Sequence, residues 1–409
     1  MLSHPTSAKM KGYPLSTIAV INLGAHGHVN PTLTMTQELG ERGHKVHYFV
    51  TADFAAAVQA TGAELCAYES DFGQVVPSAA TVAAMMPGFP LRLLSEAAAT
   101  MPQIITRLRQ LRPDVILYDP MCVAGRLLAQ ALSIPAATLH ATYAANEHFS
   151  LWQSMRLSAP SQSILDDFAV LANNLASTYS IVAPTIKSIR SHSEPLNIVF
   201  VPRSFHPESA TFDQRYRFVG PGFATRPGSG VWTANQTKRE RRLFVSMGTV
   251  FNAWPEFFQM TAAAFAATPW DVQMAIGSRV DPKCLGTLSE NINAAAYLPQ
   301  LDILPCAAVA MTHGGMGTTM EALSFGVPLV IIPQMPEQAL TARRVAELGL
   351  GVMMTRDEAT SESLMAAVER VASDATIQSN VARMQQQLDA RKHRPGYLLA
   401  ADAVESYLA

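Results

Sequence analysis

The amino-acid sequence predicts an α/β protein of two doubly wound halves, each a parallel sheet with helices on both faces. Short apolar, β-rich runs alternate with helical stretches, which is typical of parallel sheets. The chain has 409 residues, enough for two domains. The alternation is interrupted near the middle by a stretch rich in Pro, Gly, Ser and Thr, and it then begins again.

The first half contains four apolar runs that predict strands, at residues 17–23, 44–51, 114–119 and 136–141. Helical segments are predicted between them, at residues 31–43, 52–62 and 123–132. Pro31 suits the first position of a helix and Gly43 suits its end, so the first helix is expected to begin at Pro31.

Two segments break the alternation, at about residues 70–110 and 143–195. Both are rich in Ala, Met, Phe and Leu. They are either insertion helices that complete the core or the walls of an apolar ligand pocket, and the sequence leaves both interpretations open.

The middle of the chain predicts a linker at residues 223–240, after a first domain at 1–222. The basic run KRERR (238–242) is interpreted as a solvated face of this linker. The second domain is predicted at 241–390, with strands at 242–248, 271–277, 307–313 and 327–333. Residues 391–409 are predicted as a C-terminal helix that packs back on the first domain.

Composition excludes several classes of function. A net charge of -2 gives no general attraction to nucleic acid or to anionic membranes, and 49% hydrophobic residues exclude a disordered chain. The cysteines are far apart, so neither a metal-ligand spacing nor a disulfide framework is indicated. The N-terminal segment is a poor signal peptide and no apolar run is long enough to span a bilayer, so a cytoplasmic location is expected.

Two histidines, His26 and His28, follow the first predicted strand in the segment GAHGHVNP. Ligands of open α/β sheets bind outside the carboxyl ends of the strands. Because histidine titrates near neutral pH, a histidine at such a position is a candidate general base.

A glycine-rich turn follows a strand of the second half, in THGGMGTTMEALSFGVP (312–328). Glycines allow a ligand to approach the backbone closely, and a helix start favours an anion. His313 can donate to a phosphate oxygen, and Glu321, expected in the first helical turn, can accept from a pair of hydroxyls. The alternative is a plain turn in which Thr318 and Glu321 form a capping pair. The segment is neither a P-loop nor a G-x-G-x-x-G dinucleotide fingerprint.

These segments together resemble a known family. YLPQ (297–300) and THGGMGTTMEALSFGVPLVIIPQMPEQ resemble the nucleotide-sugar signature of the GT-B-fold UDP-glycosyltransferases, and GAHGHVNPTL resembles their N-terminal catalytic segment. The resemblance extends over nearly the whole chain, and bacterial macrolide-type glycosyltransferases are the most similar members. It implies two Rossmann-like domains that face each other across a cleft, with the acceptor bound by the first and the UDP-sugar by the second.

The resemblance also implies the site residues. His28, three residues before Pro31, is the base that deprotonates the acceptor hydroxyl, and Asp119 in VILYDP is its carboxylate partner. The roles that remain for His26 are to shape the turn or to contact the donor. The donor-binding residues implied are Gly248, Thr249, Tyr297, Gln300, His313, Gly315, Met316, Gly317, Thr318, Glu321, Glu337 and Gln338.

Within this set, Tyr297 would stack on uracil and Gln300 would lie near the base and ribose. Glu321 would bind the ribose hydroxyls, and the turn from His313 to Thr318 would bind the diphosphate. Glu337 and Gln338 would bind the sugar.

Three positions depart from the family pattern: Tyr297 replaces the usual tryptophan, Glu337 the usual aspartate and Thr341 a frequent asparagine. UDP-glucose remains the first choice of donor, although the longer Glu337 side chain puts the identity of the sugar in doubt.

The sequence therefore predicts an inverting, metal-independent and cofactor-free hexosyltransferase that acts on a hydroxyl of a small apolar acceptor such as a macrolide, flavonoid or phenol. It is expected to be a monomer or weak dimer with no nucleic-acid partner and no membrane span. The alternatives are a GT-B nucleotide-sugar epimerase and a non-catalytic UDP-sugar-binding protein.

Overall fold

Two parallel sheets form the framework of the protein. The computed structural model describes residues 14–72, 85–155, 158–223, 241–248, 253–389 and 394–409. The first sheet contains β1 (Thr17–Ile21), β2 (Lys45–Val50), β3 (Glu64–Ala67), β4 (Val115–Tyr118), β5 (Ala136–His140), β6 (Leu196–Val199) and β7 (Tyr216–Phe218). Its strand order is β3-β2-β1-β4-β5-β6-β7.

The second sheet repeats this topology with one strand fewer. It contains β8 (Arg242–Ser246), β9 (Asp271–Ala275), β10 (Ile292–Ala295), β11 (Val309–Thr312), β12 (Leu329–Ile331) and β13 (Gly351–Met353), in the order β10-β9-β8-β11-β12-β13. The strand order reverses between β1 and β4 in one sheet and between β8 and β11 in the other. Such switch points are where open α/β sheets bind ligands.

Helices connect the strands. Those of the first half are α1 (His26–Glu41), α2 (Ala55–Gln59), α3 (Phe89–Leu111), α4 (Val123–Leu132), α5 (Leu151–Ser154), α6 (Gln162–Tyr179) and α7 (Ile186–Ser191). Those that follow are α8 (Pro255–Phe265), α9 (Gln300–Ile303), α10 (Met316–Ser324), α11 (Pro336–Glu347), α12 (Ser361–Ser373), α13 (Ala375–Asp389) and α14 (Gly396–Leu408). Among the described residues, no helix combines the length and apolar character that crossing a bilayer requires.

The predicted fold class is confirmed, and several elements differ from the expectation. Each predicted strand is present, but β3, β6, β7, β10 and β13 were missed. All of these except β6 are edge strands, whose partly exposed residues form weaker apolar runs. The first helix begins at His26 rather than at Pro31, which lies inside it. The helix can begin this early because the extended Ala25 carbonyl accepts the backbone N–H groups of His28 and Val29, both at 2.9 Å.

The C-terminal helix α14 packs against α1 of the first half. Ala400, Ala401 and Val404 are fully buried in the same apolar cluster as the strands of the first sheet. Arg42, directly after α1, forms ion pairs with Asp402 at 2.7 Å and with Glu405 at 2.6 Å. This helix therefore returns the chain to the half from which it started.

The segment between the two sheets gives one correction. Arg242, expected on a solvated linker face, is buried at the start of β8, and its Nε donates to Asp271 at 2.6 Å. The neighbouring β9 supplies this carboxylate, which satisfies the buried charge. Residues 224–240, which hold nearly all of the predicted linker, lie outside the described residues, and the domain boundaries stay predictions.

The two halves touch through α11. Arg344 donates from Nε to the backbone carbonyl of Phe205 at 2.8 Å and from Nη2 to that of Ser204 at 3.3 Å. Phe205 belongs to the same apolar cluster as the strands of the second sheet. These contacts join α11 of the second half to the segment that follows β6.

Candidate active site

The first switch point brings His28 and Asp119 together. His28 lies in the first turn of α1, after β1, and Asp119 directly follows β4. His28 Nδ1 donates to Asp119 Oδ2 at 2.7 Å, and the Asp119 side chain is only 2% exposed. The other carboxylate oxygen, Oδ1, accepts the backbone N–H of Met121 at 2.8 Å. With its Nδ1 proton used in this way, the His28 ring presents a proton-accepting Nε2 to a ligand.

A buried polar network fixes the turn that carries His28. The Asn22 side chain donates from Nδ2 to the His28 backbone carbonyl at 3.1 Å and to the Tyr48 hydroxyl at 2.9 Å. The Tyr48 hydroxyl also shares a hydrogen bond of 2.6 Å with Thr32. The start of α1 is thus tied to β1 and β2, which restricts the direction in which the imidazole can point.

Electrostatics favours the protonated form of His28. Burial by itself would lower its pKa, but the Asp119 carboxylate and, more weakly, Glu337 raise the pKa above its ordinary value. Glu337 belongs to α11 of the second half. Burial raises the pKa of Glu337 as well, against the opposing effect of His28. The base candidate of one half and a carboxyl group of the other therefore face each other across the cleft.

His26 has a different environment from His28. Its ring is exposed and packs edge-on against Phe54, with 4.9 Å between the ring centroids. No hydrogen bond to a carboxylate orients it among the described residues. Of the two histidines, His28 is the one whose ring is held by a buried acid.

The second switch point places His313 between two glycines. A Cβ on Gly248, which follows β8, would lie 2.5 Å from the His313 ring, and one on Gly315 would lie 2.6 Å from it. Gly248 also has a φ of +81°, which favours glycine. Burial lowers the pKa of His313 to about 4, despite a hydrogen bond to the Ser246 backbone. The ring is therefore neutral at neutral pH and offers one N–H.

The glycine-rich turn leads into α10 with its backbone accessible. Gly315 precedes the helix, which begins at Met316, and a Cβ added to Gly317 would meet nothing within 4 Å. The first N–H groups of a helix lack partners within the helix and carry its positive dipole end. This helix start can bind an anionic group, as the sequence predicts for the diphosphate.

Gln300 joins two of the residues predicted to bind the donor. It donates from Nε2 to the Thr318 hydroxyl at 3.3 Å and contacts the Glu321 carboxylate. The alternative of a capping pair is wrong, because the residue before α10 is Gly315, which has no side chain to cap with. Glu321 lies one turn further along α10 than expected. Tyr297 is 81% exposed, which leaves its side chain accessible to a ligand.

The two residues predicted to bind the sugar have different environments. Glu337 lines the cleft beside His28 and Asp119, whereas Gln338 is buried and accepts the backbone N–H of Gln334 at 2.8 Å. Thr341, one turn further on, is buried, and its hydroxyl points to the Glu337 carbonyl at 3.4 Å. Thr249 lies outside the described residues.

A cavity of about 600 Å³ lies between His28 and the two irregular segments of the first half. Phe72, Phe89 and Trp152 form one wall, with ring centroids 5.8 Å and 5.7 Å apart in succession. Both interpretations of these segments hold in part, since their helices complete the core and also enclose the cavity. Sequence reasoning missed the polar residues Arg92, His140, Arg190 and Arg279 of its lining.

One cluster of possible metal ligands occurs in the described part of the chain. His47, Glu64 and Cys66 lie at the far edge of the first sheet, away from both switch points. Glu64 is already paired with the Arg107 guanidinium at 2.5 Å. A fixed cation next to the carboxylate opposes the binding of a second one.

The chain is similar to bacterial glycosyltransferases over nearly its full length. A family model described as erythromycin biosynthesis protein CIII-like, C-terminal domain, matches residues 265–396. The NDP-glycosyltransferase YjiC of Bacillus licheniformis is 40% identical over 401 residues, which cover 96% of this chain and 98% of that protein. The demethyllactenocin mycarosyltransferase of Streptomyces fradiae is 32% identical over 405 residues, which cover 97% and 87%.

A solved structure has the same architecture. The crystal structure of the calicheamicin glycosyltransferase CalG4 superimposes with a TM-score of 0.82 at 38% identity, and the match covers 96% of this chain and 98% of that one. The overall fold is thus found in a related protein as well.

Proposed function

Because this chain belongs to the GT-B glycosyltransferases of the NDP and macrolide type, we propose that it transfers a hexose, with inversion, from a UDP-sugar to a hydroxyl of a small apolar acceptor. Similarity over the full chain to proteins named as glycosyltransferases favours this family over the epimerase and the binding protein considered as alternatives. UDP-glucose is the donor we propose first.

The observation that carries the proposal is the His28–Asp119 pair at the mouth of the apolar cavity, opposite Glu337 of the other half. A base must lie between an acceptor held by the first half and a sugar held by the second. The hydrogen bond to Asp119 fixes the ring and stabilises the imidazolium that forms.

The proposed reaction moves one proton and one sugar. The acceptor hydroxyl gives its proton to His28 Nε2 as its oxygen forms a bond to the anomeric carbon. The bond from that carbon to the diphosphate oxygen breaks on the opposite face, and its electron pair leaves with UDP. Attack opposite to the leaving group inverts the anomeric configuration.

The proposed donor site supplies charge stabilisation to the diphosphate. The N-terminus of α10 and the backbone from Gly315 to Gly317 would face the place where negative charge develops, and His313, which bonds to the Ser246 backbone, would shape this turn. Gln300 and Glu321 would hold the base and ribose, and Tyr297 would cover the base. Because these groups stabilise the negative charge of the diphosphate, we propose that transfer needs neither a divalent cation nor a cofactor.

A donor screen tests the proposal. UDP-glucose, UDP-galactose and dTDP-glucose are each incubated with a phenol, a flavonoid and a macrolide, with and without excess EDTA, and the products are identified by mass spectrometry. We expect glycosides from UDP-glucose at equal rates in both conditions. Absence of any glycoside, or transfer only from a dTDP-sugar, would contradict the donor proposal, and loss of activity in EDTA would contradict metal independence.

A further inference from the structure

A small recess of about 40 Å³ adjoins the acceptor-side cavity. The two spaces share Pro120, His140, Ala145, Ile189 and Arg190 in their walls. The recess lies behind His140, at the end of β5, and is enclosed by α4 and by α7 with the residues that follow it. A ligand that fills the cavity therefore lies against the wall that the two spaces share, which includes Arg190.

Two arginines line this recess. Arg126 of α4 is only 6% exposed and is held by Ser188, whose carbonyl accepts from Nη1 at 2.5 Å. Arg190 of α7 lies over the Trp152 ring, with 5.2 Å between the guanidinium carbon and the ring centroid. The Arg190 Nε is buried and has no hydrogen-bond partner among the described residues.

Negative charge does not balance the two guanidinium groups. The residues that line the recess include no carboxylate. Glu194 lies behind the wall, where its carboxylate accepts the Tyr118 hydroxyl at 2.7 Å and pairs with His192 at 3.0 Å. Burial lowers the pKa of His140 to about 4, so this ring adds no charge at neutral pH. The charge of Glu194 therefore acts on Arg126 alone, and Arg190 forms no ion pair among the described residues.

Burying a cation without a counter-charge costs free energy, and a bound anion removes that cost. Burial lowers the pKa of Arg126 against the opposing effect of Tyr118 and Glu194, and it lowers the pKa of Arg190 with no opposing charge. A carboxylate between the two guanidinium groups would gain charge-assisted and bidentate hydrogen bonds.

We propose that this recess is an anion subsite of the acceptor pocket, and that it selects aromatic acceptors with a carboxylate at the end remote from the hydroxyl that is glycosylated. The aromatic wall of Phe72, Phe89 and Trp152 holds the ring of the acceptor, and Arg190 and Arg126 hold its acid. The inference rests on the proposed function for the position of the acceptor, whereas the anion subsite itself rests on the geometry of the recess.

Matched acids and amides test the subsite. Binding of para-hydroxyphenylpropionate and para-hydroxycinnamate is measured by calorimetry at neutral pH without donor, beside the primary amide of each. We expect at least one acid to bind about 10-fold or more tightly than its amide, because the amide lacks the charge. Equal affinities of the acids and their amides in the unaltered protein would overturn the proposal without any variant.

Two arginine variants locate the effect. Arg190→Gln is expected to remove most of the preference for the acid while affinity for the amide stays within about 2-fold. Arg92→Gln is the matched control, because Arg92 lines the same cavity over the Phe72 ring but not the recess. If Arg190→Gln preserves the acid preference, or Arg92→Gln abolishes it equally, the recess does not hold the acid.

Transfer assays separate this inference from the proposed function. Acid binding that depends on Arg190, with no transfer to any acceptor, supports the subsite and contradicts the transferase proposal. Efficient transfer to neutral phenols, with no preference for the acids, contradicts the subsite alone.

Discussion

At the scale of single residues, orientation distinguishes the two histidines of the GAHGHVNP segment. The ring of His28 is fixed from Nδ1 by a buried carboxylate, and its carbonyl is held by Asn22. The ring of His26 is exposed and touches Phe54 by its edge. The two histidines are so close in the sequence that position alone does not distinguish their roles. Their surroundings do, because only His28 has the buried carboxylate that orients a general base.

We therefore expect His28→Ala to lower kcat by about 10²–10⁴-fold, the usual contribution of a general base. Affinity for UDP should stay within about 2-fold, because His28 belongs to the other half of the protein. His26→Ala, the matched control, should retain substantial turnover. A dead His26→Ala enzyme beside an active His28→Ala enzyme would show that the assignment is wrong.

The charge around His28 predicts the pH dependence of the reaction. The neutral ring is the base, so activity is lost as the pH falls through its pKa, which Asp119 and Glu337 raise above 6.5. The acidic limb of the kcat/KM profile, which reports the free enzyme, should have its midpoint above that value.

Removing either carboxylate should move this midpoint to lower pH. Asp119→Asn should shift it more than Glu337→Gln does, since Asp119 has the larger effect on the ring. A midpoint that is unchanged in Asp119→Asn would mean that another group titrates.

At the scale of elements, the start of α10 shows why small residues cluster there. Gly248 and Gly315 leave the space that the His313 ring occupies. Gly317 does not make room for a neighbouring side chain, because a Cβ at this position would meet nothing within 4 Å. A requirement for glycine at position 317 would thus come from a ligand and not from the fold.

Gly317→Ala separates these two causes. We expect the unfolding temperature to stay equal or rise, because alanine stabilises a helix by up to about 1 kcal/mol relative to glycine. Calorimetry should show weaker binding of UDP, since the new methyl group would contact the diphosphate. Gly27→Ala is the control, as it is also helical with open space around its Cβ. Unchanged UDP affinity in Gly317→Ala would place the diphosphate elsewhere.

At the scale of the whole molecule, buried histidines couple the fold to pH. Burial lowers the pKa of His140, His206 and His313 to about 4. An unfolded histidine titrates near 6.5, so the unfolded chain binds more protons than the native protein between these two values. The contribution of these histidines to the free energy of unfolding is therefore greatest above the pKa of an unfolded histidine. It falls as the pH drops toward the pKa of the histidine in the native protein.

Each of these histidines should lower the free energy of unfolding at pH 5 by on the order of 2 kcal/mol relative to neutral pH. His28, whose pKa is raised, acts in the opposite direction and offsets part of the loss. We expect the unfolding temperature of the unliganded protein to fall from pH 7 to pH 5 and to respond less between pH 7 and pH 8. Scanning calorimetry over this range checks the expectation, and equal unfolding temperatures at pH 7 and pH 5 would contradict it.

The sequence by itself determined the two doubly wound halves and the positions of their ligand-binding edges. Local patterns suffice for this, because a buried parallel strand reads as an apolar run and the residue after it lies at the carboxyl edge. The position after a strand marks His26, His28 and His313 in this way, and the family resemblance then singles out His28 and adds Asp119 and Glu337. The start of α1 was misplaced because Pro31 is a common first residue of helices, whereas the Ala25 carbonyl determined the actual start.

Only the tertiary structure decided which of these residues meet. Asp119 lies 91 positions from His28 and reaches it because β1 and β4 pair in parallel with matched ends. Glu337 reaches the same ring from the other half of the chain. Nothing in the sequence marks the recess of Arg126 and Arg190, because an arginine that pairs with a carboxylate cannot be told from one without a partner by the sequence alone. Burial and the absence of a partner are properties of packing, and packing is set by contacts between residues far apart in the chain.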